Sequence, residues 1–206
     1  MRRIKKTGER EEIAVFGFIV SVIAISILLA SSAKAEIAVV DFESLATPGT
    51  GYSTVGITYI EDGFTVQAKG GYLYHWNSDD VNFPGSTALF NATLTAIPNT
   101  QITRDDGRVF DLESIMLSEL TINSGYTALT LNGTRNDNSK VSASIGLDGT
   151  FGFETFSFGE FTSLKELRLD YDGYLFQYDN IAFNVVPEPG TLFLLSFGVF
   201  ILPKRK

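Results

Sequence analysis

Residues 141–147 read VSASIGL, in which valine, alanine, isoleucine and leucine alternate with serine and glycine. Side chains of a β-strand point to opposite faces in turn, so a period of two predicts a strand with one buried face. The same alternation recurs in residues 127–131 (TALTL), 167–171 (LRLDY) and 181–185 (IAFNV). The sequence therefore predicts several half-buried strands.

Pairs of turn-forming residues separate the predicted strands. Asp-Gly, Gly-Gly or Asn-Gly pairs, which accept the backbone angles of tight turns, occur at residues 62–63, 70–71, 106–107, 132–133, 148–149 and 172–173. Residues 111–120 are the best helical candidate in this part of the chain, but their flanks favour a strand. Many short strands with regular turns predict an all-β fold, namely an antiparallel β-sandwich of the jelly-roll kind.

Charge is unevenly distributed along the chain. The full chain of 206 residues has a net charge of −8. Residues 36–203 contain 7 basic and 21 acidic side chains, so this part alone has a net charge of −14. Phosphate binding needs clustered Lys and Arg, so this acidic middle argues against a nucleic-acid partner. The chain has no cysteine, which excludes disulfides, thiol catalysis and cysteine-containing zinc sites, and its one histidine excludes an all-histidine metal cluster.

The first 35 residues predict a secretory signal peptide. Basic residues precede the uncharged apolar run 13–30, and Ala33 and Ala35 form a small-x-small site for signal peptidase. An uncleaved membrane anchor is the alternative, because a run of this length reaches the lower limit for a membrane-spanning helix. The strand-like residues directly after Ala35 favour cleavage.

The last twenty residues have three parts in order. Pro187, Glu188 and Pro189 form a stiff extended hinge, residues 191–202 are apolar, and residues 204–206 are basic. Twelve helical residues span about 18 Å, less than the ~30 Å hydrocarbon core of a bilayer, so the segment suits a transient rather than a permanent anchor. A final amphipathic helix of the domain is the alternative, but the segment is apolar all round.

The order of Pro187-Glu188-Pro189, apolar segment and basic end resembles the PEP-CTERM sorting signal of exported bacterial proteins. This copy differs from the family's pattern in its short apolar stretch and in ending Lys-Arg-Lys rather than in an arginine run. The resemblance implies recognition by an exosortase, a membrane transpeptidase-like enzyme, with transient membrane association and delivery to the surface of a Gram-negative bacterium. Proteins of this family typically accompany exopolysaccharide and biofilm production.

Short strings across residues 38–185 are also similar to a broad group of PEP-CTERM ectodomains. They are residues 41–43 (DFE), 62–66 (DGFTV), 110–115 (FDLESI), 156–158 (FSF) followed by Phe161, and 178–181 (YDNI). The similarity implies a jelly roll like that of carbohydrate-binding modules, and a shared fold alone is weak ground for a function. The expected organisation is a signal peptide over 1–35, a β-sandwich ectodomain over 36–186 and the sorting signal over 187–206.

Three acids form the metal site that this resemblance implies. In similar sandwich modules the first and last strands lie side by side, and acids on them often hold a structural calcium. Asp41 and Glu43 share a face of the predicted first strand, and Asp179 with Asn180 begins the last strand. Ca²⁺ takes about six to eight oxygen ligands, which carboxylates and backbone carbonyls could supply. The alternative is that Asp41 and Asp179 cap turns and that Glu43 is solvated.

The stretch 72–77, YLYHWN, offers the main candidate ligand surface. In a strand, Tyr72, Tyr74 and Trp76 project from one face. Together with Asn77, Asp79 and Asp80, these rings could stack on sugars and bond their hydroxyls, which predicts glycan binding. The alternative is that the aromatic row forms half of the sandwich core, which is the usual place for such a row.

Catalysis is the less favoured interpretation. His75 would need a nucleophile and an orienting acid, and no Gly-x-Ser-x-Gly nucleophile elbow occurs after residue 35. The sequence therefore predicts a non-catalytic glycan-binding or structural module of the cell surface or extracellular matrix. The alternative is a glycan-active enzyme, a glycoside hydrolase or lyase-like protein, on the same sandwich.

Overall fold

A computed structural model describes residues 36–92, 98–122, 127–171 and 175–185. The predicted signal peptide and sorting signal lie outside these residues. Within them, no helix is both long and apolar enough to cross a bilayer. A 3₁₀ helix spans Glu43–Leu45, and the strands are β1 (Glu36–Val40), β2 (Tyr52–Gly56), β3 (Thr58–Glu61), β4 (Phe64–Lys69), β5 (Tyr72–Trp76), β6 (Leu89–Ala92), β7 (Asn99–Arg104), β8 (Asp111–Glu119), β9 (Ala128–Arg135), β10 (Lys140–Gly146), β11 (Glu154–Ser157), β12 (Leu164–Tyr171) and β13 (Phe176–Val185).

The strands form two antiparallel sheets, which confirms the predicted all-β sandwich. The first sheet has the order β11-β8-β13-β6-β5-β2, and the second has the order β10-β9-β12-β7-β4-β3. Strands β1 and β6 both pair with the same edge of β13, at different positions along it. Val40 of β1 lies opposite Ile181, and Leu89 of β6 lies opposite Tyr178. The chain passes repeatedly between the sheets, as it does in a jelly roll.

The alternation read from the sequence sets which side chains are buried. In β10, Ile145 is buried between the exposed residues Ser144 and Gly146. In β12, Leu167 and Leu169 are buried and Arg168 is exposed. The segment that was the best helical candidate forms the strand β8, as its flanks favoured.

Aromatic side chains fill the space between the sheets. Phe64 of β4 stacks on Phe183 of β13 with ring centroids 4.1 Å apart, and Phe110 meets both rings edge-on. Tyr171 of β12 stacks on Phe176 of β13 at 4.3 Å. Each buried ring of this size stabilises the fold by about 1.5–3 kcal/mol. Since the chain has no cysteine, packing holds the two sheets together without disulfides.

Two buried tyrosine hydroxyls connect the sheets by hydrogen bonds. The backbone N–H of Asn91 in β6 donates to the Tyr171 hydroxyl oxygen at 2.9 Å, and the Tyr178 hydroxyl donates to the Thr100 hydroxyl at 3.3 Å. Burial raises the pKa of both tyrosines above the ordinary value. The hydroxyls therefore stay neutral and keep these bonds throughout the physiological pH range.

One predicted turn is wrong. Asn132 and Gly133 lie inside β9, paired with Ser142 and Val141 of β10, and the chain reverses at residues 136–139 instead. Packing explains the difference, because a Cβ atom on Gly133 would lie 2.7 Å from Val141 Cγ1 and 2.8 Å from Leu164 Cδ2. Glycine is needed here because the side chains of Val141 and Leu164 pack against its backbone, and not because the chain turns.

We expect Gly133→Ala to destabilise the domain by about 1–3 kcal/mol, because the added methyl overpacks the interior. Urea denaturation followed by tryptophan fluorescence measures the change. Gly159→Ala is the matched control, since a Cβ there meets no atom within 4 Å, and it should shift the free energy of unfolding by less than about 0.5 kcal/mol. Equal midpoints for the two variants would contradict the packing argument.

Candidate functional site

Strand β5 turns its aromatic residues away from the interior of the sandwich. Leu73 and His75 are buried, whereas Tyr72 is 51% exposed and Tyr74 and Trp76 are partly exposed. The three rings share one face, and that face lies outside the core. They therefore do not form half of the core, which was the alternative that the sequence left open.

The aromatic groove is an open cavity of about 410 Å³ on this outer face. Register brings its aromatic residues together, since Tyr52 of β2 lies opposite Trp76 and Phe90 of β6 lies opposite Tyr74. Tyr72 lies on the same face but is not among the lining residues. The aromatic groove is lined by Tyr52, Tyr74, Trp76, Phe90, Ala92, Leu120, Thr121 and Leu175.

Ring contacts fix the shape of the aromatic groove. Phe90, only 4% exposed, packs against Tyr74 at 5.6 Å with an interplanar angle of 23° and against Trp76 at 5.5 Å with an angle of 30°. Tyr52 is 59% exposed and stands edge-on to Tyr74 at 5.4 Å and to Trp76 at 5.7 Å. Edge-on and near-parallel contacts of this kind favour defined ring orientations. The groove is therefore formed before any ligand binds.

A hydrogen bond fixes the tryptophan ring. The Trp76 indole N–H donates to the Leu120 carbonyl at 3.0 Å, which ties β5 to the residue that follows β8. Two residues further on, the backbone N–H of Ile122 donates to the Asn82 side-chain oxygen at 3.2 Å. The wall formed by residues 120–121 is thus held at both sides.

The acids beside the aromatic row hold a loop. Asp79 accepts a hydrogen bond from the Gly49 N–H at 2.9 Å, and Asp80 accepts one from the Gly51 N–H at 2.7 Å. Bonds donated by the backbone N–H groups of Asn82 and Gly51 lower the pKa of Asp80 below its ordinary value. These carboxylates therefore position the segment that leads into Tyr52, a role that the sequence did not predict.

The single histidine lies on the interior side of β5. His75 is 3% exposed, and its Nδ1 lies 3.2 Å from the Trp76 carbonyl oxygen. Its neighbours Tyr74 and Trp76 line the aromatic groove, but His75 itself does not. Its ring therefore belongs to the packed interior.

The acids predicted to bind calcium occupy positions different from those expected. The first and last strands do lie side by side, but β1 ends at Val40, so Asp41 and Glu43 follow the strand rather than share one of its faces. Phe42 turns the chain there with a φ of 58°. Asp179 lies within β13 and not at its start.

Glu43 and Asp179 come together around residues 86–87. Glu43 Oε1 accepts a hydrogen bond from the Thr87 N–H at 3.0 Å, and Asp179 accepts one from the Ser86 hydroxyl. Among the residues that the structure describes, the three predicted acids do not form a group with an oxygen from each within one cation's reach. Calcium at these acids stays a prediction.

Comparisons with known proteins find distant likenesses to carbohydrate-binding modules. No protein-family model and no curated protein matches the chain. A family 29 module variant complexed with mannohexaose has a TM-score of 0.44 and 9% identity, covering 73% of this chain and 92% of its own. A family 32 module from C. perfringens NanJ in complex with galactose has a TM-score of 0.40 and 11% identity, and the match covers 64% of this chain and 99% of that module. A family 29 module from Piromyces equi has a TM-score of 0.39 and 12% identity, and the match covers 66% of this chain and 91% of that module.

These likenesses are too distant to assign a family or to support a function. Sequence reasoning found Tyr74 and Trp76 but missed Tyr52 and Phe90. No local signal marks these two residues, because they reach the groove only through the pairing of β2 and β6 with β5.

Burial raises the pKa of Asp179 to about 6, although its bond from Ser86 opposes the shift. The negative charge of Glu43 adds to the increase. A folded-state pKa above the unfolded value means that ionisation destabilises the fold. Stability linked to this group is therefore full below about pH 4 and is lost as the pH rises through about 6.

We expect Asp179→Asn to flatten this pH dependence, since the amide cannot ionise. In chelator-treated protein the variant should gain up to about 3 kcal/mol relative to the wild type between pH 4 and pH 7. Melting temperatures across that range measure the difference. For comparison, Asp137→Asn in the exposed turn after β9 removes a carboxylate whose pKa is lowered by hydrogen bonds from Ser139, so this variant should not gain stability relative to the wild type as the pH rises. A wild-type curve parallel to that of Asp179→Asn would contradict the assignment.

Proposed function

We propose that the sandwich of residues 36–185 is a non-catalytic glycan-binding module. The observation that carries the proposal is the outward-facing groove in which Tyr52, Tyr74 and Trp76 surround the buried ring of Phe90. Sugar rings present apolar C–H faces that pack on aromatic rings, and their hydroxyls need polar partners at the edges. Two of the lining residues, Tyr52 and Tyr74, carry a phenolic hydroxyl.

The dimensions of the aromatic groove suit a short stretch of glycan. Ligand sites typically enclose about 300–1,000 Å³ and combine apolar walls with a few polar groups. The groove's volume of about 410 Å³ lies in that range, and the groove is open to solvent rather than enclosed. A preformed groove also reduces the entropic cost of ordering side chains on binding.

Charge indicates which glycans the module prefers. Residues 36–203 carry a net charge of −14, and none of the groove's described lining residues is a lysine or arginine. The field of an acidic protein repels anionic polymers. We therefore expect the module to bind neutral polysaccharides more tightly than polysaccharides that carry uronic acids or sulfate groups.

The lining residues favour binding over catalysis. Glycoside hydrolysis requires two carboxyl groups about 5–10 Å apart on either side of the scissile bond. The eight described residues of the lining include no aspartate, glutamate or histidine. This composition supports a binding module rather than the glycan-active enzyme that the sequence left as the alternative.

We expect Tyr52→Ala and Trp76→Ala each to weaken binding to a neutral polysaccharide about tenfold, because each removes a stacking surface. Affinity electrophoresis against a panel of neutral and anionic polysaccharides measures retention. Tyr52 is 59% exposed, so its removal should leave the melting temperature within about 2 °C of the wild type.

Two control variants distinguish binding in the groove from nonspecific binding to apolar surface. Ile60→Ala removes an apolar side chain that is 62% exposed on the other sheet, and Tyr72→Ala removes a ring on the same face outside the groove. Both should retain the wild-type affinity within about threefold. If no polysaccharide retains the wild type, the module is structural, and release of sugar products would indicate the enzyme.

We also propose that the chain is exported and sorted to the cell surface by signal peptidase and an exosortase, where it associates with exopolysaccharide or biofilm. The support is the sequence of the two ends, Ala33 and Ala35 after an apolar run, and Pro187-Glu188-Pro189 before the second apolar segment. These residues lie outside those that the structure describes.

Intact-mass measurement of the protein recovered from the cell surface tests this sorting proposal. We expect a mass that lacks residues 1–35 and the basic residues 204–206, because both ends serve as membrane-directed signals. Replacement of Pro187 and Pro189 by alanine should leave the tail uncleaved. Recovery of surface protein that still ends at Lys206 would contradict the proposal.

A further inference from the structure

Three acidic side chains converge at the end of β8. Glu119 is the last residue of β8, Asp148 follows β10, and Glu154 begins β11. One carboxylate oxygen from each lies within 4.8 Å of the others. None of the three lines the aromatic groove, and none belongs to the metal site that the sequence predicted.

Strand pairing and loop contacts bring these acids together. Strand β11 pairs with β8, with Glu154 opposite Leu117. The connection from β10 to β11 then folds back, so that the Gly149 N–H donates to Glu119 Oε1 at 2.9 Å and the Asp148 N–H donates to Glu154 Oε1 at 3.0 Å. Gly149 adopts a φ of 83° in this loop. The arrangement thus depends on backbone bonds as well as on the acids themselves.

The buried carboxylate of Glu119 lacks a partner on one side. Glu119 is 0% exposed, and its Oε2 is buried without a hydrogen bond. The three ion pairs found among the described residues involve Arg104, Arg108 and Arg168, and none includes the clustered acids. Buried charges are normally paired or coordinate metals. Burial raises the pKa of Glu119, and the charges of Glu154 and Asp148 add to the increase.

We propose that Glu119, Asp148 and Glu154 bind a divalent cation, specifically Ca²⁺. Three carboxylates supply only hard oxygen ligands, which Ca²⁺ prefers, and waters and backbone carbonyls complete its flexible coordination. Mg²⁺ demands near-ideal octahedral geometry and loses water reluctantly, so a partly open set of three acids suits it less well. Asp148 is exposed and Glu154 is half-buried, which leaves a path from solvent to the buried Glu119.

One residue, Leu120, connects the proposed cation site to the wall of the aromatic groove. Leu120 directly follows Glu119, and its carbonyl accepts the Trp76 indole N–H. The Glu119 carbonyl in turn accepts a hydrogen bond from the Gln177 side chain at 2.9 Å. A cation on Glu119 would therefore stiffen the end of β8, which leads directly into the groove wall at residues 120–121. The site itself does not depend on glycan binding.

Calcium titration of the full chain in detergent, after removal of metal with chelator, tests the proposal. We expect isothermal titration calorimetry to show a saturable site that depends on these three acids, with Ca²⁺ raising the melting temperature. Glu119→Gln and Glu154→Gln should each weaken Ca²⁺ binding by at least about tenfold, because each removes a charged ligand. Mg²⁺ at the same concentration should give a smaller shift in melting temperature.

Control variants make the outcome specific. Glu160→Gln changes an exposed acid next to β11 and should leave affinity unchanged. Glu43→Gln, at the metal site predicted from sequence, should also leave the affinity of the Glu119 site unchanged. Glu154 is half-buried on an edge strand, so its variant tests the site even if Glu119→Gln does not fold. Absence of calcium binding up to millimolar concentration, or equal affinity in Glu154→Gln and the wild type, would overturn the proposal.

Discussion

The contact between Phe64 and Phe183 across the sandwich is the constraint on which the other features depend. The rings stack 4.1 Å apart, and they come from strands that lie in the interior of their respective sheets. In a chain without cysteine, such contacts set the distance between the sheets and the side of each strand that faces inward. Every outward-facing surface follows from that assignment.

The aromatic groove is one of its consequences. Because Leu73 and His75 of β5 fill the interior, Tyr74 and Trp76 must face outward, and pairing with β2 and β6 adds Tyr52 and Phe90 beside them. Side chains carried by paired strands are positioned more rigidly than side chains on loops. The nearby acids, which hold the segment before Tyr52, extend this rigidity to the rim.

The sequence predicted features that depend on neighbouring residues, and it failed where distant residues decide. Alternation was sufficient to predict the strands around Ile145 and Leu169, and the antiparallel sandwich followed from their number. Alternation could not decide which face of β5 points inward, because apolar residues lie on both faces. The pair Asn132-Gly133 predicts a turn on local grounds, whereas the packing of Gly133 against Val141 and Leu164 depends on other strands. The cluster at Glu119 likewise requires knowledge that β11 pairs with β8.

Strand β13 runs from the aromatic groove to the place where the first and last strands of the sandwich pair. Leu175, directly before β13, lines the aromatic groove, whereas Val185 at the other end of the strand pairs with Glu36. Leu175 and Val185 are ten positions apart, and β13 is irregular at Asn180, where φ is 46°. The two ends therefore lie less than about 33 Å apart, at roughly 3.3 Å per extended residue. Residues 36 and 185, where the chain enters and leaves the sandwich, therefore lie at the opposite end of β13 from the aromatic groove.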